Sequence, residues 1–89
     1  MSDPNRTPIR LSIHARGYLE RRGFTEAEVK QTITDSAWRP ARNNRLEAVK
    51  DFPYDSDWNG RHYATKRVRA IFVVETDEIV VVTVYTYFF

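Results

Sequence analysis

The chain contains no cysteine, which excludes disulfide staples, thiol nucleophiles and thiolate zinc sites. Histidine is nearly as scarce. His14 and His62 are the only two, and with the carboxylates they fall into no ligand-like spacing, so no metal site is expected. No apolar run approaches the ~18 residues of a membrane span. The polar N-terminus also lacks a hydrophobic signal core, so no membrane association and a cytoplasmic location are expected.

What is present describes a small globular protein. Eighty-nine residues allow one domain, burying roughly 60–65% of the unfolded surface. Hydrophobic residues make up 42% and charged residues 29%, which separates the chain from disordered sequences. The net charge of +2 is unevenly spread. Residues 1–45 carry nine Lys/Arg against five Asp/Glu, whereas residues 46–89 carry five against seven. A basic half beside an acidic half is compatible with phosphate binding on one side.

Residues 1–8, with two prolines, are expected to form a flexible arm before a single domain over 9–89. Ser12 is a good N-cap for a helix from Ile13 to Arg22, with Gly23 as its left-handed stop. At ~100° per residue, Leu11, Ala15, Tyr18 and Leu19 form its apolar stripe. His14 and Arg21 fall on one edge of that stripe and Arg22 near its middle, its stem over the core and its guanidinium outside. Thr25-Glu26-Ala27-Glu28 is a capping box and opens a second helix from Glu26 to about Asp35, burying Val29 and Ile33.

The remainder reads as strands: Arg45 to Phe52, about His62 to Glu75, and Ile79 to about Phe88. Asn59-Gly60 is the strongest turn signal. A three-residue loop at 76–78 would pair Phe72 with Val82 and Ala70 with Val84. A two-residue turn would set Glu75 against Glu78, which like-charge repulsion disfavours. In the first register Val68, Ala70, Phe72, Val80, Val82 and Val84 meet the helices. The other face carries Arg67, Arg69, Thr83, Tyr85 and Tyr87, charge for phosphates and rings for unpaired bases. Parity places Lys66 with Val68, so it reaches the open face only at a strand end or through a bulge.

Metal-independent RNA cleavage needs a base, an acid and cations. An imidazole is the side chain that changes charge near neutral pH, so His14 suits either proton-transfer role. Lys66, Arg67 and Arg22 could hold the phosphate, and Glu47 is the carboxylate suited to be a base. The plainer reading makes His14 a hydrogen-bonded border residue and Lys66–Glu47 a cross-strand ion pair.

The block His14-Ala15 followed by Glu20-Arg21-Arg22-Gly23-Phe24 resembles the opening of a family of small bacterial domains of unknown function grouped with RelE/ParE-type toxins. Tyr63-Ala64-Thr65-Lys66-Arg67-Val68-Arg69 and Val81-Val82-Thr83-Val84-Tyr85 are similar to its second and third blocks. The resemblance covers about residues 9–87. It implies the barnase/colicin/RelE-like ribonuclease fold: α+β, with an N-terminal two-helix hairpin on a twisted three- or four-stranded antiparallel sheet. Carried over, the helix histidine is His14, the strand base Lys66 and the terminal-strand hydroxyl Thr83, with Tyr85 beside it.

The expected function is therefore that of a metal-independent endoribonuclease toxin, or a descendant of one, needing no cofactor and silenced by a small antitoxin protein. Its catalytic candidates are His14, Lys66, Thr83, Glu47 and Tyr85. Its RNA contacts are Arg22, Arg67, Arg69 and Tyr87. The alternative is a non-catalytic interaction module, in which Tyr85 to Phe89 and the bare edge of the last strand dock a protein partner or a second copy in a homodimer.

Overall fold

In the computed structural model, which describes residues 7–89, the chain is α+β. A short strand β1 (Ile9–Leu11) is followed by two helical turns, α1 (Ile13–Gly17) and α2 (Leu19–Arg22), and a longer helix α3 (Glu26–Asp35). Then come β2 (Arg39–Ala41), a 3-10 turn (Arg42–Asn44), β3 (Arg45–Trp58), β4 (Arg61–Val74) and β5 (Ile79–Phe88). The strands form one sheet in the order β1-β5-β4-β3-β2. Two 14-residue strands at ~3.3 Å per residue account for its 45 Å long axis.

The sheet departs from the expected one in three ways. It has five strands rather than three or four, it is mixed, and the first described element is a strand rather than a helix. β1 runs parallel to β5, pairing Ile9 with Ile79 and Leu11 with Val81. Three residues carry too little alternation to announce a strand, and β2 has the same length. The expected arm over 1–8 lies outside the described residues except for Thr7 and Pro8. The Pro8 carbonyl accepts the Ile79 N–H at 2.8 Å.

The first helix is broken in two. Ser12 caps it as expected, accepting from the Ala15 N–H, but Tyr18 sits at φ −101°, ψ 0° and ends α1. Gly17, a poor interior residue by ~1 kcal/mol relative to alanine, weakens the helix at that point. The Arg22 N–H then restarts it on the Tyr18 carbonyl at 2.8 Å. Gly23 closes α2 at φ 72°, and a Cβ there would lie 2.7 Å from the Trp58 ring, so both backbone and packing demand glycine. The α3 capping box forms in full, over the range its sequence announces.

The core lies between the helices and one sheet face. Val29 and Ile33 of α3 and Phe24 pack with Ala48, Val68, Ala70 and Phe72, while Ala15 and Leu11 meet Ile79, Val81 and Val84. Trp38 closes the end of α3 by donating its indole N–H to the Ile33 carbonyl at 2.8 Å, and its ring meets Phe72 edge-on.

The β4–β5 register corrects the sequence expectation. The disfavoured two-residue turn is the one adopted: the Glu75 N–H donates to the Glu78 carbonyl at 2.8 Å, and Val74 pairs with Ile79. Arg10 of β1 removes the objection, gripping Glu78 through two hydrogen bonds of 3.1 Å and holding its carboxyl below the usual range. A bulge at Val82 then restores the expected pairing of Ala70 with Val84. Ile79 and Val81 therefore enter the core in place of Val80 and Val82, and Thr83, Tyr85 and Tyr87 still face away from the helices.

Candidate nucleic-acid interface

Beyond Val81, β1 no longer flanks β5, and the helical turns take over its outer edge. Ser12 donates its backbone N–H to the Val81 carbonyl at 2.9 Å and its hydroxyl to the Val82 carbonyl at 3.2 Å. Arg22 donates from Nη1 to the Val84 carbonyl at 2.8 Å and to Thr83 Oγ1 at 3.4 Å. The Thr86 hydroxyl donates to the Arg22 carbonyl. The bare edge expected for strand addition is thus partly occupied, because the broken helix lays its polar groups along it.

This edge assembles a cluster. The Arg22 guanidinium lies between two rings, 4.0 Å from the Tyr18 centroid and 5.0 Å from that of Tyr85. His14, exposed, meets the Tyr18 ring edge-on with ring centroids 5.0 Å apart. Arg69, from the neighbouring strand, stands 5.5 Å from the Tyr85 centroid. His14, Tyr18, Arg22, Thr83, Tyr85 and Arg69 thus form one continuous surface. Desolvated cations over aromatic faces gain more than exposed ones. The half-buried Arg22 is held in place by both rings and by β5.

Glu47 belongs to this surface but is engaged. It accepts from Arg69 Nη2 at 2.9 Å and lies 3.6 Å from Arg39 Nη2, with its side chain only 15% exposed. The hydrogen bond to Glu47 raises the Arg69 pKa still further, keeping the guanidinium charged. Two arginines on one carboxylate make Glu47 a positioning group for Arg69 rather than a free base. Arg67 is likewise engaged, through hydrogen bonds of 2.6 and 3.0 Å to Asp51, and its guanidinium lies 5.0 Å from the Phe89 ring. Tyr87 stands exposed on the same face.

Lys66 lies elsewhere. It points to the helix side, 7% exposed, and donates to the Gly23 carbonyl and to Glu28, each at 3.0 Å. The register shifts fall on the neighbouring strands, at Val82 of β5 and between Pro53 and Ser56 of β3, so β4 itself keeps its parity at Lys66. Lys66 is therefore separated from Thr83 and Tyr85 by the sheet itself, and its expected pairing with Glu47 does not occur. His62, at the β3–β4 turn, is bound by Asp55 and Asp57 at 2.8 and 3.1 Å, outside the cluster.

Three residues of this surface escaped the sequence reading. Tyr18 keeps its place in the apolar stripe, half-buried against the core, and its ring also meets the Arg22 guanidinium. Arg42 and Arg45 flank two asparagines, Asn43 and Asn44, both left-handed at φ 60° and 59°. Asparagine tolerates that conformation better than most residues, so Arg-Asn-Asn-Arg was a legible turn signal. It was obscured by the apolar alternation that begins at Arg45. The turn stands beside the open sheet face and forms with it a concavity of about 440 Å³, lined in part by Arg42, Arg45, Arg69, Thr83 and Tyr85. Comparison with family models, with curated proteins and with solved structures gave no match to this chain.

Proposed function

We propose that this chain binds single-stranded RNA across the open sheet face and cleaves it without a metal, as a RelE-like endoribonuclease toxin or a descendant of one. The reading rests on one observation: Arg22 is clamped between Tyr18 and Tyr85, with Arg69 and Thr83 beside it and His14 at the rim. Two fixed cations suit a phosphodiester whose charge grows in the transition state. Rings on either side suit unpaired bases. The RelE-like assignment of the fold rests on the resemblance and on helices covering one face of antiparallel β3, β4 and β5.

In this reading the ribose 2′-oxygen attacks phosphorus as the P–O5′ bond breaks, giving a 2′,3′-cyclic phosphate and a free 5′-hydroxyl. His14 accepts the 2′ proton, Tyr85 donates the proton that the 5′-oxygen takes up, and Arg22 and Arg69 hold the non-bridging oxygens. The imidazolium returns its proton through water to Tyr85. Lys66 takes no part. An antitoxin protein would silence the domain by covering the same arginines. The rival module docking through β5 keeps the exposed Tyr87 and Phe89 but meets a strand edge already partly occupied by Ser12 and Arg22.

The test is incubation of the purified protein with end-labelled single-stranded RNA in EDTA, and separately with intact ribosomes in magnesium buffer, the EDTA criterion applying to the ribosome-free arm. Cleavage leaving a cyclic phosphate is expected, stopped by a 2′-deoxy sugar at the cut. His14→Ala should slow it ~10²–10⁴-fold and Arg22→Ala ~10²–10³-fold. Activity lost with EDTA, or retained in both variants, would refute the assignment.

A further inference from the structure

The concavity beside the cluster is larger than a single phosphate needs, and it has its own cations. Arg42 and Arg45 stand on the turn that forms one wall, and Arg69, Thr83 and Tyr85 stand on the sheet opposite. Neither Arg42 nor Arg45 makes an ion pair among the described residues, in contrast to Arg67 with Asp51 and Arg69 with Glu47. Among the described residues no carboxylate lines the space. Its floor includes Ile71, 7% exposed although it faces away from the helices. Unpaired arginines over an apolar floor, beside a tyrosine ring, match a unit with a charged end and a flat apolar body.

Two consecutive left-handed asparagines, Asn43 and Asn44, place both arginines at this mouth. That conformation is unfavourable for residues with a side chain, though least so for asparagine. A straight connection from β2 into β3 would have carried Arg42 and Arg45 along the sheet edge.

We propose that this concavity is a subsite for the nucleotide next to the cleaved bond, its phosphate on Arg42 and Arg45 and its base against Tyr85 and Ile71. The proposal rests on the RNA reading above and extends it. The substrate becomes an oligonucleotide engaged through at least two successive phosphates, one on Arg22 and Arg69 and the next on Arg42 and Arg45. A mononucleotide fills only half of that surface.

The test separates binding from cleavage by using a fluorescein-labelled ten-nucleotide single strand of 2′-deoxynucleotides, which a 2′-hydroxyl-dependent enzyme cannot cut. Fluorescence anisotropy across a salt series gives affinity and the number of phosphates engaged. Arg42→Ala/Arg45→Ala should weaken binding ~10-fold or more at low salt and flatten the log–log salt slope by about 0.7, the value of one single-strand phosphate. The charge-matched control Lys30→Ala/Arg61→Ala, on α3 and at the hairpin tip, should leave the slope unchanged. Arg42→Glu, at an exposed position, serves if the double variant melts early, and Asn43→Gly should keep parental binding because glycine preserves the turn. Equal affinity and slope in parent and Arg42/Arg45 variants would overturn the subsite, whether or not RNA is cleaved. Loss of binding without any RNA cleavage by the parent would uphold the subsite and refute the ribonuclease reading alone.

Discussion

Lys66 and Arg69 stand three residues apart on the same strand and serve opposite faces. Lys66 is sealed beneath the helices, its ammonium spent on Glu28 and the Gly23 carbonyl. Arg69 lies half-open, held upright by Glu47 and standing near Tyr85. Both are strand cations of one short stretch, and their proximity in sequence does not tell them apart. Parity does: an odd separation sends the two side chains to opposite sides of the pleat. One face of the sheet holds the fold together, and the other is free to meet a ligand.

The sharpest way to break this comparison is to put a charge on the helix-covered face. Val81 is fully buried, so Val81→Asp should unfold the domain, because an unpaired buried carboxylate costs several kcal/mol against a typical stability of about 5–15. Val82, half-buried at the bulge, should tolerate the same change with a smaller drop in melting temperature. Circular-dichroism melts of the two variants would decide between them. Equal losses would mean that the bulge does not persist in solution.

Lys66 comes next. Lys66→Met should cost about 3 kcal/mol in denaturant unfolding, since it strands a carboxylate that is largely buried. Adding Glu28→Gln should recover part of that loss, because the orphaned charge goes too. RNA affinity and cleavage should be unchanged in the folded fraction. A folded Lys66→Met protein that has lost cleavage would restore the catalytic role that the resemblance implies, and would erase the distinction between the faces.

On the open face the signs reverse. Tyr85→Ala should lose ~1–3 kcal/mol of single-strand affinity through the missing stack. The residue is 38% exposed, so stability should move by less than ~0.5 kcal/mol. Titrations and melts on the same sample check both halves. A large stability loss with unchanged affinity would make Tyr85 a prop for Arg22 and nothing more.

Much of the fold was legible before any coordinates. The α3 capping box, the Gly23 stop, the Asn59-Gly60 turn and the bounds of β5 all follow from local chemistry. What escaped depends on residues far apart in sequence. Glu75 and Glu78 can face each other only because Arg10, 68 residues from Glu78, reaches across from β1. That contact shifts the register by one residue and moves the bulge to Val82. The candidate site was legible by face more than by partner. Parity puts Arg69, Thr83 and Tyr85 on one sheet face, whereas Arg22 reads from the sequence only as a helix cation with its stem over the core and joins them through contacts to β5. The ion pairs that engage Glu47 and Arg67 depend on strand order, which alternation does not encode, whereas the turn that brings in Arg42 and Arg45 is written locally in its two asparagines.

The smallest expected effect lies outside both faces, at the hairpin tip. His62 is gripped by Asp55 and Asp57, and these hydrogen bonds raise its pKa above the ordinary imidazole value. A folded-state pKa above the unfolded one means that the stabilising contribution is complete below the unfolded value of about 6.5 and fades as pH rises through the raised one. The ring is well exposed, so the effect should be local: looser order at residues 55–62 at alkaline pH, without global unfolding. An NMR titration should find His62 changing protonation above the free-imidazole range, and Asp55→Asn or Asp57→Asn should bring it down. If His62 titrates as a free imidazole in the parent, the clamp does not hold in water. The same variants sharpen the functional comparison. The tip touches neither the Arg22 cluster nor the Arg42–Arg45 turn, so Asp57→Asn should leave the pH profile of RNA cleavage where it stands in the parent. A profile that moved with Asp57 would transfer the proton chemistry from His14 to His62, and the reaction centre from the sheet face to the hairpin tip.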